Sequence, residues 1–201
     1  MIDIKKISID LPYLKFINYY ESALQNKQDF IEAAAVGSFD YKHKQPEVRF
    51  VNIKQIIKDE WIFYTNYNSL KAKNFVDCNK VSLLFFWGKI NVQIRMKGFI
   101  GKTDKHISDM HFNTREFDKN IAAISSEQSK RIDNYEDVVQ KFKKNKVHIK
   151  KNMVRPEFWG GYSFCPNHFE FWEGNKSRIN KRHIFELSSN KTKWMEFFLE
   201  P

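Results

Sequence analysis

Phe169-Glu170-Phe171-Trp172-Glu173-Gly174-Asn175-Lys176-Ser177-Arg178-Ile179-Asn180-Lys181-Arg182 is the stretch on which the reading of the 201-residue chain turns. Its first four residues are dense in aromatics and predict a strand, because flat bulky side chains suit a pleated, half-buried surface. Glu173-Gly174-Asn175 then supplies turn chemistry, since Gly and Asn tolerate positive φ. Beyond it Arg178, Asn180 and Arg182 alternate with Ile179 and Lys181, which predicts a second strand. Residues two apart share a strand face, so two guanidiniums and an amide would line one surface beside Trp172. Such a surface reads anions and ring edges. An ordinary basic outer face on a hairpin accounts for the same spacing.

Composition sets the bounds. Aromatics make up 16% of the chain, with 19 Phe among them, which fits a packed protein rather than a disordered one. The 34 Lys and Arg against 24 Asp and Glu leave a formal charge of +10. That excess suits an acidic partner such as nucleic acid, anionic lipid or a phosphorylated ligand, although solvated helix faces explain much of it. Cys78 and Cys165 stand alone, and the histidines show no ligand spacing, so neither a disulfide scaffold nor a metal is expected. Nothing resembles a signal peptide, and no apolar run approaches the ~20 residues of a membrane span. The expectation is a single cytoplasmic domain over 1–201, with no membrane or nucleic-acid partner. Phosphate-binding loop, dinucleotide-binding and serine-hydrolase motifs do not occur.

Along the chain, 1–10 reads as a loosely held polar arm. After Pro12, Leu14, Ile17, Tyr20 and Leu24 recur at helical spacing, and 1–30 is therefore taken as arm plus helix. Strands are expected at 33–39, 47–53 and 61–65, then at 81–87 and 90–101. The first two form a hairpin. Arg49 and Lys54 are five apart, so their convergence requires a bend or a strand end. Ser69 is a good N-cap, and the free N–H groups of the helix it opens suit a phosphate. Helices are expected at 105–115, from 117 and over 134–144. The basic run 145–151 reads as a surface connector, and Gly160-Gly161 as a sharp turn into the last strands.

Several of these stretches, in order, resemble the pyridoxamine 5′-phosphate oxidase family from about residue 33 to 201. Phe171-Trp172 through Arg182 is similar to its E-F-W-Q-G, spacer, R-L-H-D-R signature, with Glu173, Asn180 and Lys181 as departures. Arg49 to Lys54 resembles R-x-V-L-L-K. Phe63-Tyr64-Thr65-Asn66, Ser69 and Lys71-Ala72 resemble F-Y-T-N-x-x-S-R-K-A, with Leu70 in place of an arginine on the cofactor phosphate. Trp87, Ile90, Gln93 and Ile94 follow W-x-x-L-x-R-Q-V. His111 to Ala123 is similar to Y-F-x-x-R-P-x-x-S-x-I-G-A, keeping Arg115 but carrying His111 and Lys119 for the Tyr and Ser. Ser126 to Ser129 fits S-x-Q-S, and 156–162 fits P-x-x-W-G-G-[YF].

The resemblance implies a mainly β fold with peripheral α-helices: an FMN-binding split β-barrel that forms a homodimer, the flavin held between the two chains. It implies oxidation of pyridoxamine or pyridoxine 5′-phosphate to pyridoxal 5′-phosphate with O2 as acceptor. The cofactor carries that chemistry, and the protein binds and orients it. By the same resemblance Arg49, Lys54, Tyr64, Thr65, Lys71, Gln93, Gln128, Ser129, Trp172 and Arg182 hold FMN. Lys54, His111, Arg115, Lys119, Arg178 and Asn180 line the substrate side, with Arg178 orienting the reacting carbon. Two alternatives are a related flavin oxidase for another anionic ring, as in phenazine pathways, and a non-catalytic flavin- or RNA-binding split barrel.

Overall fold

The computed structural model describes residues 1–149, 153–190 and 192–201. In chain order the elements are β1 (Asp3–Lys5), α1 (Leu11–Gln25), β2 (Ala33–Asp40), β3 (Gln45–Asn52), β4 (Gln55–Ile57) and β5 (Glu60–Asn66). There follow α2 (Leu70–Asp77), β6 (Lys80–Trp87), β7 (Val92–Lys102), α3 (Lys105–Thr114), α4 (Phe117–Ser125) and α5 (Tyr135–His148). The chain ends with β8 (Trp159–Glu173), β9 (Lys181–Leu187) and β10 (Trp194–Leu199).

All the strands join one sheet in the order β1-β4-β5-β8-β7-β6-β2-β3, and β9 and β10 branch from it. The branch point is β8. One edge pairs with β7 along most of its length. The other pairs with β5 over Trp159–Phe164 and with β9 over His168–Glu173. A strand of 15 residues can serve two partners on one edge because each needs only half of it. That split gives β8 two ends with different neighbours.

The core lies where α1 covers the sheet. Phe16 is fully buried, with its ring 4.4 Å from Trp61 edge-on and 5.5 Å from Trp87. Edge-to-face pairs of this kind add to plain area burial. The helix is where the periodicity places it, but its buried face is Tyr13, Phe16, Tyr20 and Ala23; Leu14 and Leu24 of the predicted face are exposed. The aromatics win because they reach across to Trp61, Trp87 and Phe169.

Other expectations are corrected. The first residues are tied down: β1 pairs in parallel with β4, and the amide of buried Ile2 donates to Tyr20 Oη at 2.8 Å. The strand expected from residue 90 starts as β7 only at Val92, after a tight turn over Gly88–Ile90. Asn145 to His148 are the last turn of α5, not connector, because Asn145 Nδ2 donates to Ser125 Oγ and Lys146 pairs with Asp118. Residues 150 and 151 of that basic run lie outside the described residues. Gly160 and Gly161 make no turn; they sit in extended β8 opposite Thr65 and Tyr64. Their missing side chains leave room for the hydroxyl of Tyr67 and for Thr103. Finally, the strand predicted at 178–182 begins only at Lys181. Arg178 has φ 67 and Asn175 Oδ1 caps the intervening turn by accepting from Ser177 N, so Arg178 and Asn180 are loop residues.

Candidate functional site

At the Trp159 end of β8 the loop after β3, the face of β5, the start of α2 and the end of α3 converge. They enclose a cavity of about 260 Å³ lined by Lys54, Tyr64, Thr65, Lys71, His111, Arg115, Gln128 and Trp159. A smaller cavity of about 210 Å³ shares Tyr64, Thr65, Arg115, Gln128 and Trp159 with it. Three rings lie nearly parallel. His111 stacks on Tyr64 with centroids 3.7 Å apart and planes 5° apart, and Trp159 lies 5.5 Å from Tyr64 at 12°. The Arg115 guanidinium sits 4.9 Å over the Trp159 ring. Trp159 is held in place by Arg155, whose nearly buried guanidinium donates to the Trp159 carbonyl and pairs with Asp109 at 2.7 Å.

The polar groups form a short relay. Lys71 Nζ donates to Thr65 Oγ1 at 3.0 Å, and Thr65 Oγ1 donates to Gln128 Oε1 at 3.0 Å, which also accepts from the Asn66 amide. Gln128 therefore has its carbonyl occupied and its –NH2 available. Burial, with Arg49 nearby, pulls the Lys71 ammonium down to about 8. Burial first, then Arg115 and Lys54, pulls the His111 imidazole down to about 4, so the ring is neutral near pH 7. Burial also raises the Tyr64 phenol, which donates to Gln55 Oε1 at 2.7 Å. Among the described residues no carboxylate lies within ion-pair distance of Lys71 or Arg115. A half-buried lysine depressed by burial and a neighbouring guanidinium, with no acid to neutralise it, is suited to an anionic ligand. Those donors fit the phosphate of FMN.

Not every expected residue reaches this cavity. Lys54 does, from just past the end of β3, while paired at 3.2 Å with Glu32. Arg49 lies on β3 and donates instead to Ser38 Oγ at 2.6 Å. Ser129 lines a neighbouring cavity of about 570 Å³ with Leu70, Lys73 and Gln128. Its Oγ accepts from the Leu70 amide at 3.3 Å. Lys119 is turned to solvent, paired with Glu116 at 2.7 Å, and only its backbone carbonyl serves the site by accepting from Arg115.

The remaining expected residues gather at the other end of β8. Gln93, Trp172 and Arg182 stand directly opposite one another across β7, β8 and β9. Arg95 and Glu170 are the next pair on the same face, two residues along. Arg178 and Asn180 hang from the adjoining loop, where Asn180 Oδ1 accepts from the Asn175 amide at 3.0 Å. Tyr64 is opposite Gly161 and Gln93 opposite Trp172. At about 3.3 Å per residue these rows are roughly 36 Å apart along β8. One chain does not bring its two groups together.

Trp159, Arg155, Arg95 and Glu170 are the contributors that residue-level reading missed. Trp159 stood inside a quoted motif, and Glu170 inside the opening stretch. Arg95 carried the signal of strand alternation with Gln93.

The fold is mainly β with peripheral helices, and its likeness to known proteins puts it in the class of pyridoxine 5′-phosphate oxidase-like split barrels. Residues 159–201 match the pyridoxine 5′-phosphate oxidase C-terminal dimerisation region. A pyridoxine/pyridoxamine 5′-phosphate oxidase of Leptospira interrogans is 31% identical over 191 residues, spanning 94% of this chain and 88% of that one. The structure of PhzG from Burkholderia lata, in complex with tetrahydrophenazine-1-carboxylic acid, superposes with a TM-score of 0.87 at 19% identity, covering 94% and 92% of the two chains. A pyridoxamine 5′-phosphate oxidase-related, FMN-binding protein of Nostoc punctiforme gives 0.78 at 10% identity, covering 96% and 99%. The chain belongs to the pyridoxine/pyridoxamine 5′-phosphate oxidase family. Among the described residues no helix is long and apolar enough to cross a membrane.

Proposed function

We propose that the chain is an FMN-dependent oxidase that converts pyridoxamine or pyridoxine 5′-phosphate to pyridoxal 5′-phosphate with O2 as acceptor, and that it works as a homodimer. The observation that carries this reading is the separation of the candidate contacts to the two ends of β8. In a pair of chains, Lys71, Thr65, Gln128 and Ser129 of one copy would hold the cofactor together with Gln93, Trp172 and Arg182 of the other. The match of 159–201 to a dimerisation region supports that pairing. Arg49, though turned toward Ser38, adds positive charge behind Lys71.

Bound FMN supplies the two-electron redox chemistry, including reoxidation by O2. The residues of the chain bind and orient. The Tyr64–His111–Trp159 stack walls a planar substrate, and Lys54 and Arg115 attract its anionic group. Tyr64 and neutral His111 keep ring faces there rather than charges. Arg178, exposed, and Asn180, half-buried, lie in the same loop; from the second chain they would reach the substrate, with Arg178 orienting the reacting carbon.

The test is anaerobic mixing of the FMN-loaded protein with each phosphorylated vitamer, following flavin absorbance. Rapid bleaching, reversed by air with release of pyridoxal 5′-phosphate, is the expected result. A flavin that stays oxidised would defeat the reading. It would favour the second one, oxidation of a different anionic ring, for which the outward turn of Lys119 is the specific observation. With that cation absent, Arg115 and Lys54 are the charged groups left for the substrate anion.

A further inference from the structure

We infer that Arg95 is a positioning residue for the flavin: it locks the Gln93 amide so that its –NH2, and not its oxygen, faces the ligand. The inference rests on the reading of Gln93 and Arg182 as cofactor contacts.

A glutamine on a strand face is ordinarily undecided. Its side chain has several rotamers, and its amide offers a donor edge and an acceptor edge that exchange by a flip. Gln93 is not free to choose. Arg95 lies two residues on, hence on the same face, and donates to Gln93 Oε1 from Nε at 3.2 Å and from Nη2 at 3.0 Å. A guanidinium has no acceptor, so the amide must present its oxygen to that fork, which leaves –NH2 as its outward group.

Arg95 needs its own anchor, because its side chain is 44% exposed. Its remaining arm, Nη1, donates to Glu170 Oε1 at 3.3 Å, and that same oxygen accepts from Arg182 Nε at 2.8 Å. Glu170 is only 7% exposed. Burial opposes its charge, but the hydrogen bond from Arg182 and the charge of Arg95 hold its carboxyl below the usual range. Arg182 in turn donates from Nη1 to the Glu200 carbonyl at 3.1 Å. The run Gln93–Arg95–Glu170–Arg182 crosses three strands and ends on the C-terminal segment. Gln93 Oε1 and Glu170 Oε1 are both occupied within the run, so a ligand beside Trp172 meets the –NH2 of Gln93 and the spare N–H groups of Arg182. An array of donors suits the carbonyl edge of a flavin ring.

The test is a double-mutant cycle on the full chain: Arg95→Met, Gln93→Ala and both together. FMN dissociation constants are read from fluorescence quenching, and thermal unfolding of each apoprotein serves as a fold control. Freeing one rotamer-rich side chain weakens binding by roughly twofold to tenfold. Arg95→Met should show that loss in the presence of Gln93 and none in its absence, so the double variant binds no worse than Gln93→Ala. Arg95→Lys, which keeps a donor but not the fork, should recover part of the affinity. An Arg95→Met variant that binds FMN like the parent, or effects that multiply in the double variant, would overturn the inference and leave the cofactor reading standing. Failure of the parent chain to take up FMN would overturn both.

Discussion

The two ends of β8 each hold a glutamine whose carbonyl is occupied, but the cations around them differ in whether a carboxylate pairs with them. At the Trp159 end Gln128 is held by the Thr65 hydroxyl and the Asn66 amide, and the cations around it are under-compensated. At the Trp172 end Gln93 is held by Arg95, which together with Arg182 shares Glu170. The first region keeps positive charge for a ligand to neutralise. The second shares one carboxylate between its two guanidiniums and offers oriented donors. Charge supplies attraction at one end and geometry supplies selection at the other.

The largest effect is expected from breaking the uncompensated end. Lys71→Met removes a charge-assisted contact worth about 1.5–3 kcal/mol, so FMN affinity should fall roughly tenfold to a hundredfold. The apoprotein should become more stable, because a half-buried ammonium without an acid partner disappears. The pH dependence follows in sign. The folded-state value near 8 lies below the ordinary 10.5 of a lysine. Above about 8 the folded amine is neutral and attracts phosphate less, so parent FMN binding should weaken as pH rises through that value. Between the two values the unfolded chain binds the extra proton, so apoprotein stability gains from this group as pH rises. Titrating FMN at pH 7 and 9 on parent and variant checks this, and a parent affinity that is flat between them would break the comparison.

At the other end the corresponding lesion should act on folding first. Glu170→Gln leaves Arg95 and Arg182 without their shared carboxylate in a mostly buried position. Breaking a well-buried pair by removing one partner costs about 3–5 kcal/mol. Arg95 and Arg182 are 44% and 26% exposed at the side chain, so about 1–3 kcal/mol is expected here. A denaturant midpoint that moves down at unchanged slope would report it. Glu32→Gln, which releases Lys54 at the open end, should cost less than 1 kcal/mol because that pair is more solvated. Equal losses would mean that the two ends do not differ as described.

How much of this was legible in the sequence depended on the range of the forces involved. Runs of small, apolar and aromatic residues mark β2, β5 and β6 from local sequence, and Ser69 and Asn134 mark helix starts. The family motifs gave Tyr64, Thr65, Lys71, His111, Arg115 and Gln128, which the fold does bring to one cavity. What was not legible depends on partners far along the chain. Lys119 looks like an anion ligand until Glu116 takes it. Gly160-Gly161 looks like a turn until Tyr67 and Thr103 fill the space a side chain would need. The alternation from Arg178 to Arg182 imitates a strand, yet Arg178 adopts positive φ within a loop closed by Asn175 and Asn180. The Arg95–Glu170–Arg182 run joins three strands, and nothing in any one of them announces it.

The smallest effect tests the character of the open end from the acid side. His111 lies flat on Tyr64, and burial with Arg115 and Lys54 nearby holds its folded value near 4, below the ordinary 6.5. Above about pH 5 the ring is therefore neutral in the folded chain, and no change in its charge should shape substrate binding between pH 5 and 8. As pH falls from 6.5 toward 4 the unfolded chain takes up this proton and the folded chain does not, so stability is lost across that window. His111→Gln should lose less stability than the parent between pH 7 and pH 5, a difference visible in paired thermal melts. The direct check is the Cε1–H resonance of His111 by NMR. A midpoint near 6.5 would mean that the stack admits an imidazolium, and the open end would then carry a fourth positive group beside Lys54, Lys71 and Arg115 rather than a neutral ring face.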